Sequence, residues 1–264
     1  MSAGVPPETA RPFPVWGAAK ETFVLLWRNK LWFLIRALPP AVIGGVTFII
    51  TFPRIGVYAV WEMALFFLTA LFVANMMVSC HRMVMVDDSC RRFADFLPRI
   101  TDLTYVSVWL LLSLAKYIFD ILGALLGQLV ALAGRVFDLG VAILFFIVLA
   151  RLIALFPLIA IQVKTPFRTA WRLSAGHIGQ LIGFCLVVGT ALLIAVAAVA
   201  ALVWYSQLWL AEGGADGWAG SIGVEFATTL PFFVAALFLM IVCQAVAVAQ
   251  SVAYGHLAEL RRAD

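Results

Sequence analysis

The sequence predicts an all-α membrane protein of six transmembrane helices, with amphipathic interfacial connectors on the cytoplasmic side. Three observations carry that reading. Of the 264 residues, 64% are hydrophobic and 12% charged, against about 45–50% and about 25% in soluble domains. The apolar residues fall in runs of about 18 or more with few charges, as membrane helices require, and not in the alternating segments of about 10 residues that build a membrane barrel. Lysine and arginine at the span ends divide thirteen to two between the two sides, and the positive-inside rule makes the richer side cytoplasmic.

Residues 1–13 are proline-rich and lack the apolar core of a secretory signal, so a disordered tail is expected. A transmembrane domain over 14–258 and a cytoplasmic tail over 259–264 follow. Residues 14–30 set Trp16, Ala19, Phe23, Leu26 and Trp27 at helical spacing, with Lys20, Glu21, Arg28 and Lys30 on other faces. That is the pattern of a helix lying in the interface; an extension of the first span is the alternative. Span 1 covers about 31–53, where Pro39 and Pro40 predict a kink and Gly44-Gly45 a close helix approach. Span 2 covers about 57–84 and runs into a polar loop in which aspartates and arginines mix up to Arg99.

Span 3, about 103–128, carries Gly123-x-x-x-Gly127 as a close-packing face. A turn marked by Arg135 and Asp138 leads into span 4, about 138–163, where Pro157 predicts a second kink. Residues 165–177 form another amphipathic connector, with Phe167, Ala170, Trp171 and Ala175 on one face and Arg168 and Arg172 at i,i+4. Span 5, about 178–210, is too long for a bilayer core of about 30 Å and must tilt, protrude or break. Span 6 covers about 226–255. Each odd span follows a connector bearing aromatics: Trp16/Phe23, Phe93/Phe96, Phe167/Trp171. This is a weak threefold repeat of connector plus hairpin.

The order Arg151, Pro157, Phe167 and Ser174-Ala-Gly176 before a long span 5 resembles a broad group of bacterial six-helix integral membrane proteins. That group is related to the membrane domain of glycerophosphoryl diester phosphodiesterases. The resemblance covers about residues 15–258 and implies the fold and a bacterial cytoplasmic (inner) membrane location, with both termini cytoplasmic. With nine residues after span 6 there is no room for a soluble barrel there, so phosphodiesterase activity is not expected.

Three ionisable residues fall at mid-depth: Lys116 and Asp120 in span 3, Arg151 in span 4. Each costs at least about 2.5–3.5 kcal/mol there unless it has a partner. Reflection about a turn near residue 133 brings Arg151 level with Lys116 and gives a cluster of net charge +1. One reading is an internally paired triad that fixes span 3 against span 4. The other is a pocket in which the surplus positive charge awaits an anion or a lipid head group.

Other polar residues have plainer readings. Asn75 and Gln244 are expected to bond between helices, and Arg36 to snorkel. The basic residues Arg28, Lys30, Arg91, Arg92, Lys164, Arg168 and Arg172 set topology and attract anionic lipid. His81, His177 and His256 fall near the cytoplasmic span ends, where they read either as a shared rim or as ordinary interfacial histidines. The spacing of Cys80, His81, Asp87 and Cys90 fits no standard zinc site. No disulfide, metal, cofactor or nucleic acid is expected, and no catalytic constellation is present. The expected function is that of a non-enzymatic membrane protein: a scaffold, an accessory subunit or a lipid-interacting factor. The alternative is a transporter with a midplane site at Lys116, Asp120 and Arg151.

Overall fold

The computed structural model describes residues 12–51, 60–87, 93–211 and 220–263. Among them there is no strand. The helices are α1 (Val15–Arg28), α2 (Lys30–Thr51), α3 (Val60–Val86), α4 (Ile100–Leu129), α5 (Ala131–Arg151), α6 (Leu155–Ala160), α7 (Pro166–Leu173), α8 (Ile178–Ala211) and α9 (Gly220–Ala263), with one 3-10 turn at Phe93–Phe96. Stretches of α3, α4, α5, α8 and α9 are long and apolar enough to cross a membrane. The order of short connector and two long helices recurs from α1, from Phe93–Phe96 and from α7.

The last helix organises the bundle, packing on α2, α3, α8, α1, α6 and α7. Half of its buried positions are small: Ala245, Ala247, Ala249, Ser251 and Ala253. Small side chains let neighbouring backbones close in, the usual source of helix affinity where lipid removes any hydrophobic preference between helices. Two glycines of α2 follow the same logic. A Cβ at Gly45 would lie 2.9 Å from Phe233 of α9, and one at Gly44 would lie 3.4 Å from Thr69 of α3.

Phe13, α1, α7 and the end of α9 gather at one end of the bundle. Phe13 is buried edge-on against Phe184 and His256, at 5.8 and 6.0 Å. Phe13, assigned from the sequence to the N-terminal tail, is thus part of the core. Glu21 of α1 meets His256 at 2.9 Å, and Arg261 donates to the Arg172 carbonyl of α7 at 2.9 Å. The end of α9 stays helical through Ala263. The α1 helix is distinct from α2, broken at Asn29, whose side chain donates to the Leu25 carbonyl. It buries Ala18, Ala19 and Thr22, while Trp16, Phe23 and Trp27 stay exposed.

Two expectations are narrowed and two are corrected. α2 passes through Pro39 and Pro40 without a break in the helix. α8 keeps all 34 residues helical, about 51 Å at 1.5 Å per residue, so its excess length does not break it. The turn between α4 and α5 is the single extended residue Val130, and Arg135 and Asp138 lie inside α5. The fourth span is not one helix: α5 ends at Arg151, 152–154 form a turn, and α6 carries Pro157. Proline clashes with the carbonyl four residues back, here Ile153, so the chain leaves the helix just where the ring forbids it. Residues Leu152–Ala160 are all buried and form part of the core beside Ala74, Val78, Tyr105 and Val106.

The short turn at Val130 works because glycines meet across the hairpin. A Cβ at Gly134 would stand 2.5 Å from the Gly127 Cα. Gly134→Val should destabilise the protein by about 1–3 kcal/mol through overpacking. The check is melting temperature in detergent against Gly140→Val, whose added Cβ meets nothing within 4 Å.

Candidate functional site

The hairpin register decides where the mid-depth charges go. Gly127 faces Gly134 and Gly123 faces Asp138. That register sets Lys116 opposite Phe145, and Arg151 opposite Leu110. Arg151 is thus offset from the Lys116 level by six residues, about 9 Å along the helix. Lys116 and Asp120 do pair, Nζ lying 2.9 and 2.7 Å from the two carboxylate oxygens. Arg151 does not join them. Its guanidinium lies 4.2 Å from the centre of the Trp171 ring, at the α7 connector.

Asp138 takes the place foreseen for Arg151. A cavity of about 340 Å³ opens between α4 and α5, lined by Lys116, Asp120, Ala124, Asp138, Val141 and Ala142. Asp138 is exposed and, among the described residues, pairs with no cation. The cluster therefore carries net charge −1, not +1. It also faces outward: the Lys116 and Asp120 side chains are 52% and 49% exposed. The sequence signal for Asp138 was present in the glycine spacing, since Gly123, Gly127 and Gly134 fix the register together.

The connector end carries the interfacial cations. Arg28, Lys30, Lys164, Arg168 and Arg172 are exposed there, with Lys30 4.2 Å over the Trp27 ring. Arg91 and Arg92, like Cys90, lie outside the described residues. Arg36 does not snorkel. It is 2% exposed, stacks 4.0 Å over Phe96 and donates to the Asp95 carbonyl at 2.9 Å. It clamps the connector Phe93–Phe96 to α2, so its head group is held by protein in place of water.

A second polar set lies inside the bundle. His81 Nδ1 sits 2.8 Å from Ser251 Oγ, its Nε2 3.3 Å from the Tyr105 hydroxyl, and Tyr105 donates to the Met77 sulfur. His81 is fully buried, so the three histidines do not share a rim; His177 and His256 remain at the connector end. Asn75 donates to the Leu97 carbonyl at 3.1 Å and to Asp102 at 3.0 Å, and Gln244 donates to the Phe33 carbonyl at 2.9 Å. Both are the interhelical bonders their positions imply. Ser251 is 1% exposed, so the Ser–His contact offers no open nucleophile. Among the described residues no group of three His, Cys, Asp or Glu is placed to hold a metal.

No family model, curated protein or solved structure matches the chain. The resemblance to phosphodiesterase membrane domains stands on Arg151, Pro157, Phe167 and Ser174-Ala-Gly176 alone.

The Asn75–Asp102 contact gives a direct stability test. Asp102 is 1% exposed and accepts also from the Arg99 N–H at 2.7 Å. Asn75→Leu should cost about 1–3 kcal/mol, because a buried carboxylate loses a donor. Adding Asp102→Leu should cost less than the sum of the two single changes, measured as a double-mutant cycle on unfolding in detergent.

Proposed function

We propose that this chain is a non-enzymatic scaffold or accessory subunit of the bacterial inner membrane, and that it docks a membrane partner through the outer face of the α4–α5 hairpin. In this reading the polypeptide crosses six times, α2 supplying the crossing beyond the five long apolar helices. Both termini are cytoplasmic, as the charge count implies. The shared position of Phe13, Arg172 and Arg261 at one end supports an even number of crossings.

One observation carries the docking proposal: Lys116, Asp120 and Asp138 face outward near the middle of apolar helices. Facing lipid, each is expensive, about 2.5–3.5 kcal/mol on insertion scales, and such groups are normally turned toward protein. A partner helix bearing one basic residue at that depth would neutralise the net −1 cluster. The interrupted fourth crossing is what favours the second reading, a transporter. Its turn at 152–154 is buried in apolar core and lines no charged cavity, so the first reading is preferred.

Two measurements decide. Single cysteines in a cysteine-free background should react with an impermeant maleimide from the cytoplasm at Lys164 and Arg262, and from the opposite side at Arg135. Labelling of Arg135 from the cytoplasm would remove the six-crossing topology. A photoreactive residue at Ala142 should crosslink in cells to one membrane protein, with the yield falling at least fivefold in Asp138→Lys while the melting temperature holds. A yield indifferent to the charge reversal, or crosslinks to lipid alone, would defeat the docking reading.

A further inference from the structure

Arg151, displaced from the Lys116 level, reaches the connector end without an acid to meet it. Among the described residues its guanidinium makes no hydrogen bond and no ion pair, and its one contact of note is the Trp171 ring, 4.2 Å away. Nε is buried and unbonded, whereas the side chain as a whole is half-buried and the two Nη reach the surface. Stacking on an indole engages the face of a guanidinium and leaves the donors in its plane without acceptors. An arginine held in this way presents its two Nη as a fork, which matches two oxygens of a phosphate.

The surroundings add charge of the same sign. From Leu139 to Ala211 the chain contains Arg151, Lys164, Arg168 and Arg172, and no aspartate or glutamate. Arg168 stands three residues before Trp171 and four before Arg172, and all three are exposed on α7. Like charges at that i,i+4 spacing destabilise a helix. Arg261 comes in from α9, its guanidinium 2.9 Å from the Arg172 carbonyl. Acids on the neighbouring helices are engaged elsewhere: Asp102 with Asn75 and the Arg99 N–H, Asp120 with Lys116, Glu259 with His256.

Depth selects the anion. From Ala131 to Arg151 is twenty residues of helix, about 30 Å, the thickness of a hydrocarbon layer. Arg151 therefore lies where α5 leaves the hydrocarbon, at the level of the lipid phosphates, and tryptophan favours that same level. We propose that Arg151, Trp171 and Arg168 form a site for the phosphate of one anionic phospholipid. The two Nη donate to two phosphate oxygens, and Trp171 holds the plane of the fork. A choline or ethanolamine head would bring a cation against Arg168 and Arg172, so a zwitterionic lipid binds less well. The site is fixed and takes one lipid, unlike the diffuse attraction that every interfacial cation exerts. It shares no residue with the Lys116 cavity, so it stands or falls independently of the docking reading.

The test uses the full chain in a neutral detergent and native mass spectrometry. Dioleoylphosphatidylglycerol should fill a first site of one lipid per chain, about fivefold or more tighter than dioleoylphosphatidylcholine. Arg151→Gln should weaken that first site about tenfold, the effect of losing charged hydrogen bonds, while the lipid-free melting temperature holds. Arg28→Gln removes the same charge from the exposed end of α1 and should leave the first site unchanged. Inorganic phosphate in large excess should not displace the lipid. Binding that ignores Arg151→Gln, falls equally in Arg28→Gln, is matched by phosphatidylcholine, or is displaced by inorganic phosphate overturns the proposal. If Arg151→Gln does not fold, a phosphatidylglycerol with a diazirine on its head group is added to the unaltered chain. Its crosslinks must concentrate on α7, and labelling confined to α1 or spread evenly over both connectors rejects the site.

Discussion

A bilayer offers no water to a stranded polar atom, and this bundle is arranged around that shortage. α9 shows the arrangement most directly. Its alanines bring α2, α3 and α8 close, and closeness is what lets Gln244 reach the Phe33 carbonyl and Ser251 reach His81. Larger residues at Ala245 or Ala249 would hold the helices apart and leave those amides and hydroxyls facing hydrocarbon. Packing and hydrogen bonding are therefore one constraint here: the small-residue face sets the distances, and the polar residues between its alanines fix rotation and register.

The same dependence explains the α4–α5 hairpin, with a different outcome. Gly123, Gly127 and Gly134 draw the two helices together and leave a single residue, Val130, for the turn. That tight register moves Arg151 out of reach of Lys116 and brings Asp138 in. Asp138 lies against Gly123 across the seam, while Lys116 and Asp120 stand on the outer surface, paired with each other. A polar group that the chain itself cannot cover is the best ground the fold provides for expecting a neighbour.

Much of the fold could be read in the sequence, because apolar run length and span-end charge act locally. The amphipathic connectors, the pairing of Lys116 with Asp120, and the interhelical roles of Asn75 and Gln244 followed from spacing alone. What escaped were properties of register and depth. A three-residue error in the turn, from 133 to 130, was enough to place Arg151 in the wrong group. Arg36 looked like a snorkelling residue from its depth alone, whereas Phe93–Phe96 folds back over it, a contact between positions 59 apart in the chain. His81 sits near the end of a span in sequence, yet α4 and α9 close over it.

One element joins the two proposed sites. The α4–α5 hairpin carries the Lys116–Asp120–Asp138 cluster on its outer face and Arg151 at its end. At one level it offers an unneutralised carboxylate; at the other, a guanidinium held only by Trp171. A lipid head that engages Arg151 and a partner that covers the cluster would thus act on one piece of backbone. If the lipid alters the position of α4 and α5, the partner's affinity must change, and linkage requires the lipid's affinity to change by the same factor when the partner binds. If the glycine seam holds the hairpin rigid, the two events remain independent. Which applies is decided by the stiffness of the contact between Gly127 and Gly134, the same contact that set the register of the charges.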